Sequence, residues 1–201
     1  MISLFALSTL PSLMAFAFVS SITPGPNNLM LMASGANFGY RRTLPHMMGV
    51  AIGFTAMVAL VGLGLMQLFD AFPVLHRVLT VASVAYLLWL AWKIANAAPP
   101  DTVSATTRPF TFLQAAAFQW VNPKAWTMAL TAITLYAADR SLAAIILIAL
   151  TFGAVNLPCI STWVLMGTQI RRLLSSRTRL RVFNGAMALL LVGSLVPTLM
   201  T

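Results

Sequence analysis

Long apolar runs, separated by short polar or turn-rich stretches, make up most of the chain. They extend over about residues 4–32, 44–68, 74–95, 110–136, 141–167 and 182–200. Crossing the hydrocarbon core of a bilayer takes roughly 20 apolar residues in a helix. The pattern therefore predicts an all-α integral membrane protein with six transmembrane helices.

Composition supports a membrane environment. Hydrophobic residues make up 60% of the sequence, charged residues only 7%, and the mean hydropathy is +0.90. A soluble domain carries roughly a quarter charged residues, so this surface is not built to face water. Six helices with short loops use nearly all 201 residues. We therefore expect one domain over residues 1–201, with halves at about 1–96 and 110–201 joined by the loop 97–109, and no room for a soluble catalytic domain.

The net charge of +9 reflects a shortage of acids, because Asp70, Asp101 and Asp139 are the only ones. We read the basic residues as a topology signal rather than a nucleic-acid surface. Two lie in even-numbered loops, Arg77 and Arg140, whereas nine lie in odd-numbered loops: Arg41, Arg42, Lys93, Arg108, Arg171, Arg172, Arg177, Arg179 and Arg181. Short cytoplasmic loops favour Lys and Arg. The bias predicts a bacterial inner-membrane protein with both termini in the periplasm.

The start of the chain and its single cysteine add little. The first twenty residues contain no Lys or Arg, so we expect the first apolar run to be a retained helix rather than a signal peptide. Cys159 is the only cysteine, so an intrachain disulfide is excluded.

Two groups of three helices predict a 3+3 inverted repeat. An odd number of helices in each half gives the halves opposite orientations, which is the arrangement of inverted-repeat transporters. The first and fourth helices, which open the two halves, both contain proline-rich interruptions. The symmetry is inferred from topology and motif position, since no residue-by-residue repeat is visible.

The interruption in the first run is the sequence of residues 21–28. Its prolines lack an N–H, its glycine lets the backbone leave helical angles, and Pro26 suits the first turn of a new helix. An unwound carbonyl attracts an ammonium group and a helix N-terminus attracts a carboxylate, so the break suits an amino-acid zwitterion. The predicted substrate-binding residues are Thr23, Pro24, Gly25, Pro26, Asn27 and Asn28. The alternative is a packing kink filled by neighbouring Ser and Thr side chains.

The interruption in the fourth run contains Asn122, Pro123 and Lys124, which we add to the predicted binding residues. Asn122 fits an N-cap and Pro123 a first helical position. Lys124 is the only charge inside an apolar run, and such a cation should face the bundle interior or water. Alternatively, the preceding residues lie along the cytoplasmic surface and Lys124 only extends to the interface.

Other polar positions receive weaker interpretations. Asn156 to Pro158 predict a tolerated kink in the fifth helix. Gly49 and Gly53 predict close packing of the second helix against a neighbour. His46 is expected at the cytoplasmic mouth, where it is a candidate for titration, although an interfacial histidine without a function is the leading interpretation. Phosphate loops, metal-ligand clusters and a nucleophile–base pair are all missing from the sequence. We therefore expect no cofactor, no metal and no enzymatic activity.

The motifs resemble those of a known family. Residues 23–28, Thr-Pro-Gly-Pro-Asn-Asn, followed by Gly35, Gly39 and Arg41, resemble the opening signature of the LysE/RhtB family of amino-acid exporters. The likeness spans the whole chain and includes Gly49, Gly53, residues 86–93 and residues 122–125. Residues 89–95 are similar to the cysteine and O-acetylserine branch. Other family substrates are basic amino acids, homoserine, threonine and leucine. The nearly acid-free membrane region argues against a dicationic substrate.

The resemblance implies a six-helix secondary exporter of amino acids or related metabolites. We expect coupling to the proton gradient, with Lys124 and His46 as the coupling candidates. The other candidate partners are membrane lipids and further copies of the chain, and no nucleic acid is expected. A passive facilitator and a structural membrane subunit without transport remain the alternatives.

The charge count leads to a topology prediction. A cysteine introduced near Asp70 or Asp139 should react with an impermeant thiol reagent added outside the cell. A cysteine near Arg42 or Arg177 should be protected, because the odd-numbered loops are predicted to be cytoplasmic. Labelling in the opposite pattern would contradict both the orientation and the inverted repeat.

Overall fold

The computed structural model of the protein describes residues 4–65, 67, 71–96, 108–137, 141–174 and 176–196. All regular structure in these ranges is helical, which confirms the predicted all-α class for this part of the chain. The helices are α1 Leu4–Ile22, α2 Pro26–Phe38, α3 Tyr40–Leu60, α4 Pro73–Ala95, α5 Phe112–Phe118, α6 Pro123–Tyr136, α7 Leu142–Leu173 and α8 Arg177–Gly193. A π-helical turn, Val61–Leu65, extends α3, and a 3₁₀ turn, Gln119–Val121, follows α5.

Part of the topology prediction concerns residues that the structure does not describe. Asp70, Asp101, Asp139 and Arg140 lie outside the described ranges, as does most of the predicted loop 97–109.

Three of the described helical stretches are long and apolar enough to cross a membrane by themselves. They are Tyr40–Leu65, Arg77–Ala95 and Leu142–Arg171, and a shorter apolar stretch covers Thr9–Ile22. The first and fourth predicted runs are each divided into shorter helices by a break. Length and composition of single helices therefore identify a membrane protein but do not by themselves give six spans.

Both predicted interruptions are found, and local sequence explains their positions. The first lies between the end of α1 at Ile22 and the start of α2, where Pro26 occupies the first turn. The second precedes α6, where the Asn122 side chain accepts a hydrogen bond from the Lys124 N–H and Pro123 begins the helix. In contrast, α7 continues through Pro158 without a break.

The basic cluster near the end of the chain is helical, which corrects the prediction of a loop there. Helix α7 continues past residue 167 to Leu173, and α8 begins at Arg177 instead of residue 182. The Ser176 side chain caps α8 by accepting a hydrogen bond from the Arg179 N–H at 3.2 Å. The apolar pattern marks only the part of a helix that lies in hydrocarbon, so it misses a basic first turn.

Helix α7 is the centre of the bundle, and it packs against α1, α2 and α3. Helix α3 also packs against α5, and α4 packs against α8. Each of these contacts joins an element of the first half to one of the second. Apolar side chains fill the space between them, for example Phe54 of α3 against Phe152 of α7 with ring centroids 5.5 Å apart. The two halves are thus interlocked.

Glycines allow the closest of these contacts. A Cβ on Gly35 of α2 would collide with the backbone of Val164 in α7, and a Cβ on Gly167 of α7 would collide with the backbone of Met32. Gly53 of α3 faces α5 in the same way, since a Cβ there would lie 2.6 Å from the Cα of Ala116. Gly49 faces the main chain at Phe112. Together the two glycines confirm the predicted close packing of α3.

The α2–α7 contact should be sensitive to a single added methyl group. We expect Gly35→Ala and Gly167→Ala each to destabilise the purified protein by about 1–3 kcal/mol, because backbone atoms cannot move aside as a flexible side chain can. The measurement is thermal unfolding in detergent.

Gly185 of α8 is the matched control for this substitution. No atom lies within 4 Å of a Cβ built there, so Gly185→Ala should be neutral or stabilise the helix by up to about 1 kcal/mol. Equal effects at all three positions would mean that helix propensity, and not close packing, decides the result.

Candidate functional site

Every backbone carbonyl in the first break has a hydrogen-bond donor. The residues between α1 and α2 cannot continue the helical ladder, and unpaired carbonyls at membrane depth cost several kcal/mol. Thr23 Oγ1 donates to Ser20 O at 3.0 Å, and the main-chain N–H of Leu29 donates to Gly25 O at 3.0 Å. The Asn28 Nδ2 donates to both Ser21 O and Thr23 O at 2.8 Å.

Donors from the second half complete the set. Trp163 of α7 donates its indole N–H to Ile22 O at 3.1 Å. Lys124, in the first turn of α6, donates from Nζ to Thr23 O at 2.7 Å, Thr23 Oγ1 at 2.9 Å and Pro24 O at 3.2 Å. The Lys124 side chain thus extends to the first break and not along α6 toward an interface. Its ammonium joins the two interruptions that the sequence predicted.

A pair of amide side chains joins the two breaks a second time. Asn27 Nδ2 donates to Gln119 Oε1 at 2.8 Å, and Gln119 Nε2 donates to Asn27 Oδ1 at 3.2 Å. Gln119 also donates to Ala115 O at 2.9 Å, and its side chain is completely buried. Such a reciprocal pair fixes both amide orientations and holds the start of α2 beside the end of α5.

Gly25 has a different role from the predicted one. Its φ of −179° and ψ of 175° are extended values that any residue can adopt, so freedom of the backbone is not the reason for glycine here. Space is the reason, because a Cβ on Gly25 would lie 2.6 Å from Cδ of Lys124 and 3.2 Å from its Nζ. The glycine lets the lysine stem cross the break.

The two breaks enclose a small cavity of about 20 Å³. This is room for about one water molecule, far below the several hundred Å³ of a typical ligand pocket. The start of α2 and the start of α6 both face it, so two positive helix ends converge there. Its apolar wall includes Phe54, Met128 and Ile160, and its polar lining consists of Ser20, Ser21, Asn27, Asn28, Asn122, Lys124 and Asn156.

The cavity can bind a small polar molecule, and its chemistry is that of recognition. It offers one ammonium, several amides and hydroxyls, and helix N-termini, all of which hold charged or polar groups without reacting with them. Among the described residues lining it, Lys124 is the only titratable side chain. No general base lies beside a nucleophile in this described lining, so the arrangement fits binding rather than bond cleavage.

The structure brings most of the predicted site residues together. Five of them line the cavity: Gly25, Asn27, Asn28, Asn122 and Lys124. Thr23 and Pro24 lie exposed at its edge, where they hold the Lys124 ammonium. Pro26 and Pro123 begin α2 and α6 and so position the two helix ends.

His46 does not line the cavity, and it is buried between helices instead of lying open to solvent. Its side chain is 2% exposed and packs against Phe110 with ring centroids 5.3 Å apart. Neither ring nitrogen has a hydrogen-bond partner among the described residues. The approach of α5 to α3, which hydropathy does not reveal, covers the histidine.

Three residues of the site were not singled out as binding candidates by sequence reasoning. Asn156 is 5% exposed, donates to Ser21 Oγ at 3.4 Å, and leaves its Oδ1 without a partner among the described residues. Asn156 and Gln119 are polar residues within apolar runs, and this was the available signal. Trp163 offered no such signal, since it lies one turn from the end of the predicted run 141–167, where tryptophan is usual.

Comparison with known proteins identifies the family. The profile of the LysE type translocators matches residues 18–195, a range that contains both breaks. The chain belongs to this family. LysE type translocators are transporters, so the protein is a bacterial inner-membrane transporter and not an enzyme, and the resemblance seen in the sequence is confirmed.

Several relatives of this LysE type translocator carry a functional name. The chain is 31% identical over 185 residues to the cysteine/O-acetylserine efflux protein of Escherichia coli O1:K1 / APEC, covering 88% of this chain and 90% of the relative. It is 30% identical, with the same coverage, to the proteins of that name from Escherichia coli strain K12 and Shigella flexneri serotype 5b. No solved structure matches significantly.

Proposed function

We propose that the protein is a secondary-active exporter of amino acids or closely related metabolites, with cysteine and O-acetylserine as the first substrates to test. One observation supports this most strongly. The breaks in the two halves converge on a single cavity that combines an ammonium, amide groups and two helix N-termini. The names of the relatives agree with a small zwitterion as cargo.

The cavity suits the two ends of such a zwitterion. The carboxylate lies toward the N-termini of α2 and α6, where the helix dipoles favour negative charge. The amides of Asn27, Asn28 and Asn122 surround this position. A cavity of about 20 Å³ is too small for an amino acid, so binding requires it to widen. Transport then alternates between states open to one side and the other.

The membrane arrangement that we propose has six spans in a 3+3 inverted repeat. Helices α1 and α2 form the first span, and α5 with α6 forms the fourth, each interrupted at its proline. The halves are residues 1–96 and 110–201, joined by the loop 97–109, and both termini are periplasmic. Support comes from the matching breaks, from the nine-to-two distribution of basic residues in the predicted loops, and from the prolines Pro26 and Pro123, which begin α2 and α6 at corresponding places.

Proton antiport is the proposed energy source. A zwitterion has no net charge, so the membrane potential alone does not move it. One proton entering supplies roughly 2.3 kcal/mol per 100 mV, in addition to any pH gradient. Lys124 and His46 are the candidate coupling groups, and Lys124 is the one that lines the cavity.

Transport by the purified protein in liposomes tests the function. We expect efflux of labelled O-acetylserine or cysteine that accelerates when the outside is acidified, whereas a facilitator would equilibrate the substrate without responding to the gradient. Gly25→Leu should abolish efflux with insertion intact, because the side chain fills the cavity at Lys124. The control is Gly185→Leu, which meets open space. Failure of the wild-type protein to move any amino acid would refute the proposal.

The coupling role of Lys124 gives a separate prediction. Lys124→Met, similar in length but uncharged, should remove the response to the pH gradient or abolish export. Lys124→Arg should restore little, since arginine stays protonated. Lys93→Met is the control, because the Lys93 Nζ packs over the Trp89 ring, 4.8 Å from its centroid, and Lys93 is not among the described residues that line the cavity. An unchanged pH response in Lys124→Met would show that Lys124 is only an anchor.

A further inference from the structure

We propose that the backbone of the first break forms an ammonium site which Lys124 and the ammonium group of the substrate occupy in turn. The site consists of three oxygen atoms, Thr23 O, Thr23 Oγ1 and Pro24 O. We call it the carbonyl cradle. The inference rests on the proposed function. It means that the Lys124 ammonium competes with the ammonium group of the substrate for these three oxygen atoms.

The carbonyl cradle matches one primary ammonium. A primary ammonium has three N–H donors and no acceptor, and the Lys124 Nζ directs them at three acceptors between 2.7 and 3.2 Å away. The α-ammonium of an amino acid presents the same three donors. Two ammonium groups cannot share these oxygens, because both charge repulsion and the number of acceptors forbid it.

The cradle also requires an occupant. Among the described residues, Lys124 is the only donor to Pro24 O, whereas Thr23 O retains the Asn28 amide. A carbonyl left unpaired at membrane depth is costly. Departure of Lys124 is therefore favourable only when another donor, either water or the ammonium group of the substrate, replaces it.

Departure of the Lys124 side chain is sterically simple. Thr23 and Pro24 are exposed at the edge of the cavity, and a charged group at membrane depth must face water or protein. Lys124 is half-buried and reaches the cradle on a flexible stem that crosses Gly25. Rotation of this side chain can vacate the cradle without movement of a helix.

Competition for the cradle couples one proton to one substrate. On the cytoplasmic side the substrate ammonium displaces Lys124, which gives one proton to water and becomes a neutral amine, since the described cavity lining contains no carboxylate to hold its charge. On the outer side the substrate leaves, and the amine takes up one proton and returns to the cradle. The sum is one substrate out and one proton in, with no acidic residue involved.

A small ammonium probe tests the cradle independently of transport. In Lys124→Ala the cradle is vacated and space is created, so methylammonium should bind there and raise the unfolding temperature by about 2–4 °C. Tetramethylammonium has the same charge but no N–H donor, and it should have no effect. The wild-type protein and Lys93→Ala, which retain the Lys124 ammonium, should respond to neither ion at equal ionic strength.

Lys124→Ser is the second variant, because it vacates the cradle with a different small side chain if the alanine variant proves unstable. Equal responses of the variants and the wild type to methylammonium, or equal responses to both ions, would overturn the cradle as an ammonium site. This result would leave export by the wild-type protein unaffected, so it differs from failure of the proposed function.

Binding of two isomers tests the competition itself. O-acetylserine has a free ammonium, and N-acetylserine has the same formula without it. Lys124→Ala should bind O-acetylserine about tenfold more tightly than the wild type does, with no gain for N-acetylserine. Weaker binding of both isomers would show that Lys124 holds the carboxylate instead. Unchanged affinity for both would likewise contradict displacement of the lysine.

Discussion

The architecture depends on one requirement, that the carbonyls of the first break find donors where neither helix nor lipid can supply them. The donors come from three elements. Asn28 of α2 is local, whereas Lys124 of α6 and Trp163 of α7 belong to the second half of the chain. Satisfying the backbone of α1 and α2 therefore fixes the positions of α6 and α7 around it. The same groups that meet this requirement surround the cavity, so stability and the candidate binding site have a common origin.

Close packing places the donors within reach. Trp163 and Gly167 are four residues apart on α7 and so lie on one face of that helix. Gly167 lets the α7 backbone approach Met32 of α2, and this close contact brings the Trp163 indole to Ile22 O. The reciprocal amide pair of Asn27 and Gln119 fixes the other side of α2. A helix interrupted by prolines is thus held in place by its neighbours.

The sequence was sufficient where local chemistry decides the structure. Pro26 and Pro123 mark helix starts because a missing N–H is harmless there. Asn122 is a favourable N-cap whatever the surrounding fold, because its side chain bonds to its own helix. The hydrogen bonds of Trp163 and Gln119 could not be predicted, because their partners Ile22 and Asn27 lie more than ninety residues away in sequence. The reason for glycine at position 25 and the burial of His46 depend equally on which distant element packs there. Hydropathy locates spans, but it does not say which faces meet.

The distance along the chain between acceptor and donor has a consequence for biosynthesis. Lys124 is 101 residues after Thr23, and Trp163 is 141 residues after Ile22. At roughly 5–20 residues per second, the ribosome completes the last donor about 7–28 s after the carbonyl it serves. Throughout this interval the break needs water or the protein wall of the insertion machinery around it, since lipid offers no donor. We therefore expect the first half to reach its final position in the bilayer only after the second half has been made.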